Sequence, residues 1–177
     1  MKTEIAVFGG GCFWCTEAIF SMLNGVVAVK PGYAGGYSQN PDYESVSSGE
    51  TGHGEVIQIE FDPGVIPYND LLDVFFHTHN PTTMNQQGAD VGTQYRSIIL
   101  YTSEEQKMEA ENFIGELENS GEFKDFIVTE VKPLVQFYEA ENYHKNYYIR
   151  NIEQPYCQVV ISPKLTKLRE KYKKKLK

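Results

Sequence analysis

Three consecutive glycines separate a short apolar run from a segment with helical periodicity, and this arrangement restricts the fold most. Residues 4–8 read Glu-Ile-Ala-Val-Phe, which is typical of a buried strand that enters the glycine turn at residues 9–11. The following apolar residues recur at helical spacing, namely Cys15, Ala18, Ile19, Met22 and Leu23. Asn24-Gly25 is expected to stop that helix. The chain is therefore predicted to begin with a strand–turn–helix unit.

Strand-like and helix-like segments alternate through the rest of the chain. Strands are expected at residues 26–37, 55–61, 95–101 and 127–131, and the clean alternation in 55–61 predicts a half-buried strand. One helix is expected to open at Pro67, with one face formed by Leu71, Leu72, Phe75 and His79. A second is expected to start with a capping box at residues 103–106 and to stop at Gly121. The pattern predicts an α/β (α+β) fold with one sheet of four or five strands covered by helices.

Composition narrows the class of protein. A length of 177 residues, with 41% hydrophobic and 23% charged residues, suits one domain with a sizeable core. The sequence lacks a signal-peptide pattern, and no run approaches the roughly 20 apolar residues of a membrane span. Three cysteines is an odd count, so a purely structural disulfide set would leave one thiol over. We therefore expect a cytoplasmic protein with no membrane partner.

Residues 164–177 differ in charge from the rest of the chain. They carry eight Lys or Arg and one Glu, a net +7, so the total of -8 leaves -15 on residues 1–163. A basic tail can bind nucleic acid, but no recognition motif accompanies this one. The apolar residues at helical spacing favour a terminal helix with a solvated lysine face instead; they are Leu165, Leu168, Tyr172 and Leu176. We interpret residues 1–163 as a single domain and 164–177 as its basic helical tail, with no nucleic-acid partner.

Cys12 stands where the glycine turn meets the predicted helix. A cysteine at a helix N-terminus faces unsatisfied N–H groups and the positive end of the dipole, which favour the thiolate. Glycines before it let the backbone turn tightly and let another molecule approach. A buried cysteine that acts only as a small hydrophobic residue is the alternative. Position and context favour a reactive Cys12.

Cys15 completes a Cys-x-x-Cys pattern with Cys12 and admits two interpretations. The spacing allows a disulfide, but Cys15 also lies on the apolar face of the predicted helix. A dithiol oxidoreductase would use this pair, although bulky Phe13 and Trp14 between them suit a hydrophobic wall better. A structural zinc site lacks a second pair of ligands with suitable spacing, so no metal is expected.

Glu55 is predicted to point inward. By strand parity it shares a face with Ile57, Ile59 and Phe61, and an inward carboxylate is costly unless it is paired or protonated. Burial would raise its pKa, which is the setting for a general acid near neutral pH. The alternative is a residue half in solvent at the start of the strand.

Tyr43, Asp90 and Tyr95 lie in turn-rich segments, where phenols and a carboxylate could bind a polar group. Composition alone does not single them out. The runs that contain them nevertheless belong to a larger set that resembles the peptide methionine sulfoxide reductase A family. The matching segments, in order, are residues 10–14, 32–36, 41–44, 51–56, 61–63, 79–82 and 90–97, within a resemblance that spans 4 to about 163. Any one motif is weak, but this number in the family's order is specific.

The resemblance implies a two-layer fold with a mixed sheet, so that residues 1–163 would be a catalytic domain. The residues themselves predict irregular chain with two or three short elements over 133–163, before the terminal helix. It implies reduction of the S-epimer of methionine sulfoxide, free or in proteins, without a cofactor and with thioredoxin as reductant. By position, Cys12 would be the nucleophile and Glu55 the acid. Tyr43 and Tyr95 would donate hydrogen bonds to the sulfoxide oxygen, and Asp90 would order that network. Phe13 and Trp14 would form the pocket for the methyl group.

The thiol that resolves the oxidised Cys12 is the open point. The resemblance favours Cys157 on a mobile C-terminal segment, with Cys15 as the alternative. Relatives with a further tail cysteine differ from this chain, and Ser47 stands where Cys is frequent, so a relay through the tail is not expected. Lys145 replaces a frequent Gln, which leaves the role of the Tyr143-His144 segment open. A monomer is expected. A dithiol oxidoreductase and a non-enzymatic interaction module remain as alternatives.

Overall fold

The computed structural model describes residues 2–177 and contains one mixed sheet and one short hairpin. The sheet strands are β1 (Glu4–Gly9), β2 (Val26–Ala34), β3 (Gly54–Phe61), β6 (Ile98–Tyr101), β7 (Glu130–Pro133) and β8 (Tyr138–Glu139). Their order is β7-β6-β1-β3-β2-β8. All neighbours are antiparallel except β6 and β7, which are parallel. The hairpin pairs β4 (Gln86–Gln87) with β5 (Asp90–Val91).

Helices cover the sheet, which confirms the predicted α/β architecture with a mixed sheet. They are α1 (Phe13–Phe20), α2 (Tyr43–Ser47), α3 (Tyr68–Thr78), α4 (Glu104–Ser120), α5 (Tyr147–Arg150) and α6 (Ser162–Lys171). Short 3-10 turns lie at Thr93–Tyr95, Asn142–His144 and Lys173–Lys175, and a π-helical turn lies at Cys157–Ile161. Within residues 2–177, no helix has the length and apolar character needed to cross a membrane.

The main core lies between the sheet and the helices. Phe8 of β1 stacks on Phe75 of α3 with ring centroids 4.8 Å apart, and its neighbour in the cluster is Phe20 of α1. A smaller apolar cluster covers the opposite face of the sheet and contains Val7, Ala34, Val56, Ile98 and Leu100. The central strands are therefore buried on both faces, which anchors the residues at their ends.

The sheet is larger, and β3 more buried, than predicted. Six strands replace the expected four or five because the short β8, which was not expected, adds an edge strand beside β2. The predicted half-buried strand is wrong for the first half of β3, where Val56 is fully buried like Ile57. β3 is a central strand between β1 and β2, so its outward residues pack under the second cluster.

Several boundaries differ from those predicted. α1 ends at Phe20 rather than at Asn24, because Asn24 and Met22 pair with the C-terminal residues Lys175 and Lys177 instead. The strand expected at 95–101 begins only at Ile98 after a 3-10 turn, and the strand expected at 127–131 spans Glu130–Pro133. His79 follows α3 as its C-cap residue, not as part of its helical face.

The predicted terminal helix is present as α6. Leu165, Leu168 and Tyr172 are buried in the main core, and the Tyr172 hydroxyl donates to the Asp73 carbonyl at 3.2 Å. Leu176 lies beyond the helix and forms a bridge with Leu23. The expected solvated face is confirmed for Lys167 and the residues that share it, Arg169, Lys171, Lys173 and Lys174.

Candidate active site

The glycine turn sets Cys12 at the N-cap of α1. Gly11 has φ +95°, which favours glycine, and a Cβ there would lie 2.7 Å from Cγ of Gln87. A Cβ on Gly10 would lie 3.1 Å from the rings of His79 and Phe75. The turn therefore packs tightly against α3 and the chain that follows it. This packing fixes the position of Cys12, which is 8% exposed.

Burial raises the pKa of the Cys12 thiol well above its ordinary value, and a negative charge on nearby Glu55 raises it further. The main-chain N–H of Trp14 and the hydroxyl of Tyr156 oppose this shift by hydrogen bonding. The expected contribution of the helix N-terminus is thus present, but desolvation outweighs it. Burial and the local hydrogen bonds therefore act on the pKa of Cys12 in opposite directions, and burial is the larger effect.

The predicted inward carboxyl of Glu55 is confirmed. Glu55 is the second residue of β3 and is 2% exposed. Its pKa is raised to about 8, mainly by burial and further by the charge of Asp90. The main-chain N–H of Phe13 opposes this rise through a 3.1 Å hydrogen bond to the carboxyl. Because a pKa near 8 keeps this carboxyl protonated at neutral pH, Glu55 can donate a proton beside Cys12.

Tyr43 and Tyr95 lie beside the same two groups. Tyr43 begins α2, and Tyr95 ends the 3-10 turn that precedes β6. Burial raises the pKa of each phenol, and charges on Glu55 and Cys12 raise it further. The two phenols therefore stay protonated and can donate hydrogen bonds at this site.

Asp90 joins the group through the C-terminal segment. Its Oδ2 accepts a 2.7 Å hydrogen bond from the Tyr156 hydroxyl. Asp90 lies in the strand β5, close enough for its charge to raise the pKa values of both Glu55 and Tyr95. The fold thus brings Cys12, Glu55, Tyr43, Tyr95 and Asp90 together from separate parts of the chain.

Phe13 and Trp14 form an aromatic wall next to Cys12. Phe13 is fully buried, whereas Trp14 is half-buried and stacks on Tyr147 with centroids 3.7 Å apart and planes 7° apart. The edge of Tyr156 meets Trp14 at 5.9 Å. Nε1 of Trp14 donates to Nδ1 of His144 at 2.9 Å. The indole is therefore held on several sides by the C-terminal segment.

All three cysteines are free and buried. Cys157 is fully buried and begins the π-helical turn, directly after Tyr156. The nearby Tyr156 hydroxyl lowers the pKa values of both Cys12 and Cys15, and a charge on Cys157 raises the pKa of Cys15. The three thiols thus share one neighbourhood. No cluster of three or more metal-ligating side chains occurs among the residues that the structure describes.

Sequence reasoning missed the residues that the C-terminal segment contributes. His144, Tyr147 and Tyr156 surround Trp14, and Glu141 accepts from the Tyr33 hydroxyl and the Tyr43 N–H, both at 2.9 Å. These residues lie in short elements without periodicity, and their sequence signals were the Tyr143-His144 segment, whose role was open, and the position of Tyr156 next to Cys157. Lys145, whose role was open, forms an ion pair with Glu139.

Known proteins resemble this chain over almost its whole length. The model of the family described as peptide methionine sulfoxide reductase matches residues 4–176. The peptide methionine sulfoxide reductase MsrA of Saccharolobus solfataricus is 53% identical, over 98% of this chain and 97% of that protein. That of Sulfolobus acidocaldarius is 56% identical, over 96% of this chain and 95% of its own length.

Solved structures of similar proteins share the fold. Mxr1 from Saccharomyces cerevisiae in reduced form superposes with a TM-score of 0.82 at 36% identity, covering 88% of this chain and 90% of that one. Methionine sulfoxide reductase A of Corynebacterium diphtheriae gives a TM-score of 0.76 at 32% identity, covering 85% and 76%. The site described above thus occurs on a fold and in a sequence context shared with these enzymes, and the chain belongs to the peptide methionine sulfoxide reductase family.

Proposed function

We propose that this protein reduces the S-epimer of methionine sulfoxide to methionine and thereby repairs oxidised proteins. Cys12 is the nucleophile, and Glu55 is the acid. The observation that carries the proposal is the buried Glu55 carboxyl, protonated up to about pH 8, next to a cysteine at a helix N-cap. The family membership supports the reaction type.

Glu55 donates a proton to the sulfoxide oxygen as the S–O bond breaks. In the first step, the S–O bond of the substrate breaks and a new S–O bond forms on Cys12. The substrate sulfur gains two electrons, and the Cys12 sulfur loses two, so that Cys12 becomes a sulfenic acid and methionine leaves. Glu55 gives its proton to the oxygen and takes up the proton of the Cys12 thiol. The carboxyl is therefore regenerated.

The neighbours of Cys12 account for substrate binding. Phe13 and Trp14 present the apolar surface for the methyl group of the sulfoxide. Tyr43 and Tyr95 donate to its oxygen, since burial keeps both phenols protonated. Asp90 orders this network and is itself held by Tyr156. In this arrangement the substrate oxygen faces the donors, and its methyl group faces the aromatic wall.

The second step uses Cys157 as the resolving thiol. Its sulfur attacks the Cys12 sulfenic acid, an S–S bond forms, and water leaves. Cys157 directly follows Tyr156, whose hydroxyl lies near Cys12, and a movement of the segment that carries both residues would bring the Cys157 thiol to Cys12. Cys15 is the alternative because it lies three residues after Cys12 on α1 and close to Cys157.

A dithiol such as thioredoxin then reduces the disulfide by exchange, which restores both thiols. Mxr1 in complex with Trx2 has been solved, and it superposes on this chain with a TM-score of 0.59 at 26% identity, covering 82% of this chain and 85% of Mxr1. Three free cysteines are consistent with a reducing, cytoplasmic setting.

The test is to trap the sulfenic acid. In Cys157→Ser with Cys15→Ser, one equivalent of N-acetylmethionine S-sulfoxide should add one oxygen to Cys12, which dimedone then labels. Mass spectrometry of the peptide around Cys12 measures the adduct, and Cys12→Ser is the control that should remain unlabelled. Release of methionine without any adduct on Cys12 would contradict the proposed nucleophile.

A further inference from the structure

Glu17 is a buried carboxyl that the proposed mechanism does not use. It lies on α1 and is 4% exposed. Its Oε1 accepts a 2.9 Å hydrogen bond from the main-chain N–H of Asn146. Burial raises the pKa of Glu17, and hydrogen bonds from the N–H groups of Asn146 and Tyr147 oppose this rise. Because a buried carboxyl is costly unless it is hydrogen-bonded, these bonds to the C-terminal segment allow Glu17 to remain inside.

The chain on either side of Asn146 closes on itself and forms one loop, residues 142–151. The guanidinium of Arg150 holds it together by donating to the carbonyl of Tyr143 at 2.8 Å. The same group donates to the carbonyl of Lys145 at 3.1 Å. Since these bonds connect the two ends of the 142–151 loop, a hydrogen bond at Asn146 restrains the whole loop.

Trp14 makes the neighbouring contacts between α1 and the 142–151 loop. Trp14 and Glu17 are three residues apart on α1, so they share a face of the helix. The indole N–H donates to Nδ1 of His144 at 2.9 Å, and the indole stacks on Tyr147 with centroids 3.7 Å apart. Tyr147 directly follows Asn146. The hydrogen bond to Glu17 therefore fixes the part of the loop that carries the stacking ring.

We propose that Glu17 is a positioning residue, which holds the 142–151 loop on α1 in the arrangement that binds substrate and opposes the later movement of Cys157. This inference rests on the proposed function. The approach of Cys157 to Cys12 has to displace the loop from Trp14, and the bond from the loop to Glu17 is lost in the same movement. An interaction made in only one of two states stabilises that state. Glu17 therefore favours the reduced protein over the disulfide form.

Three variants separate this role from a general effect on folding. Glu17→Ala removes the acceptor for the N–H of Asn146. Glu17→Gln keeps an amide oxygen that can still accept from it. Glu116→Ala is the matched control, because this glutamate is exposed on α4. Thermal unfolding establishes that each variant is folded at the temperature of the measurements.

The equilibrium between dithiol and disulfide measures the effect of Glu17 directly. It is determined in the Cys15→Ser background, in mixtures of reduced and oxidised dithiothreitol that exchange with the Cys12–Cys157 disulfide. Glu17→Ala should shift the equilibrium constant about tenfold towards the disulfide, since a buried hydrogen bond of the reduced protein is lost. Glu17→Gln should shift it by less than about threefold, and Glu116→Ala should leave it unchanged. An unchanged constant in Glu17→Ala, or equal shifts in Glu17→Ala and Glu17→Gln, would overturn the proposal.

Substrate binding provides a second readout, with the S-sulfoxide of N-acetylmethionine in single turnover. Glu17→Ala should raise the substrate concentration at half-maximal rate at least about threefold, because a smaller fraction of the protein has the binding arrangement. The limiting rate should change by less than about twofold. A loss confined to the limiting rate would contradict the positioning role. If the wild-type protein releases no methionine, the proposed function fails, whereas the dithiol equilibrium still tests Glu17.

Hydrogen exchange in the protein without a change at Glu17 avoids dependence on these variants. The amide of Asn146 should exchange slowly in the reduced protein and at least about tenfold faster in the disulfide form, because its acceptor is lost. The amides of β3 serve as the internal control and should exchange equally in both forms. Equal protection of the Asn146 amide in the two forms would overturn the proposal.

Discussion

The main-chain N–H of Phe13 donates a 3.1 Å hydrogen bond to the carboxyl of Glu55, which joins the first residue of α1 to the second residue of β3. Phe13 directly follows Cys12, so this bond fixes the distance between the proposed nucleophile and the proposed acid. It also explains why Glu55 can remain buried. One oxygen of the Glu55 carboxyl accepts the hydrogen bond from Phe13, and desolvation keeps the carboxyl protonated at neutral pH.

The titration of Glu55 should be visible in the rate of the chemical step. Below about pH 8 the carboxyl holds its proton, and above that pH it progressively loses it. The ratio of the single-turnover rates of wild type and Glu55→Gln should be constant up to about pH 7 and fall above pH 8. Both proteins retain Cys12, and in the wild type the charge that Glu55 gains above pH 8 also raises the pKa of the thiol, which lowers the ratio in the same direction. Glu55→Ala should lose most activity at every pH, because a methyl group cannot donate a hydrogen bond to the sulfoxide oxygen. The amide of Glu55→Gln can still donate one. A ratio that does not change between pH 6 and 10 would contradict the acid role.

The same pKa shift predicts a cost in stability. The unfolded carboxyl ionises near pH 4.3, whereas the folded one ionises near pH 8, so the unfolded chain binds fewer protons between these values. The stability of the wild type should therefore fall as pH rises through this window, by roughly 1 kcal/mol per pH unit relative to Glu55→Gln. Urea denaturation of both proteins at pH 5 and pH 8 measures the difference. If the difference in the free energy of unfolding between the two proteins is the same at pH 5 and pH 8, the buried carboxyl does not titrate as stated.

The glycine turn should not tolerate a side chain at Gly11. Gly11→Ala forces φ +95° on an alanine and brings its Cβ to 2.7 Å from Gln87, which should cost about 1–3 kcal/mol and displace Cys12. Gly115→Ala is the matched control because nothing lies within 4 Å of a Cβ at this position in α4. That change should stabilise the protein by about 0.5–1 kcal/mol without affecting activity. Thermal unfolding and single-turnover rates of both variants test the pair.

Trp14 is the single tryptophan of the chain, so its fluorescence reports on the C-terminal segment. Tyr147 stacks on it at 3.7 Å, and Tyr156 meets its edge. Movement of Cys157 towards Cys12 has to displace these contacts. The emission should therefore shift to longer wavelength when one equivalent of sulfoxide oxidises the protein. Cys157→Ser should show no such shift, whereas a shift of the same size in that variant would argue against Cys157 as the resolving thiol.

The sequence predicted those parts of the fold and site whose causes are local. Ser103 and Gly121 are confirmed as the caps of α4, because capping depends on neighbouring residues. The inward direction of Glu55 follows from strand parity alone. In contrast, the early end of α1 depends on pairing with the C-terminus. The partners of Trp14 are also distant in sequence, since His144 lies 130 residues away from it. Such contacts are decided by packing and leave no periodic pattern.

The pKa of the Cys12 thiol shows a similar limit. The sequence indicated a helix N-terminus, and the N–H of Trp14 does lower the pKa of the thiol there. It could not indicate how completely Glu55, Tyr156 and the aromatic residues would exclude water. Desolvation depends on the whole environment, and at this position it outweighs the local hydrogen bond.

The most direct test of the account is single-turnover reduction of the two separated sulfoxide epimers of N-acetylmethionine, without added reductant, with the lost thiols counted. The account predicts about one methionine per protein from the S-epimer and none from the R-epimer, with two thiols consumed in the wild type and none in Cys12→Ser. If neither epimer yields methionine, the account is contradicted, and a general dithiol oxidoreductase becomes the better explanation of Cys12 and Cys15.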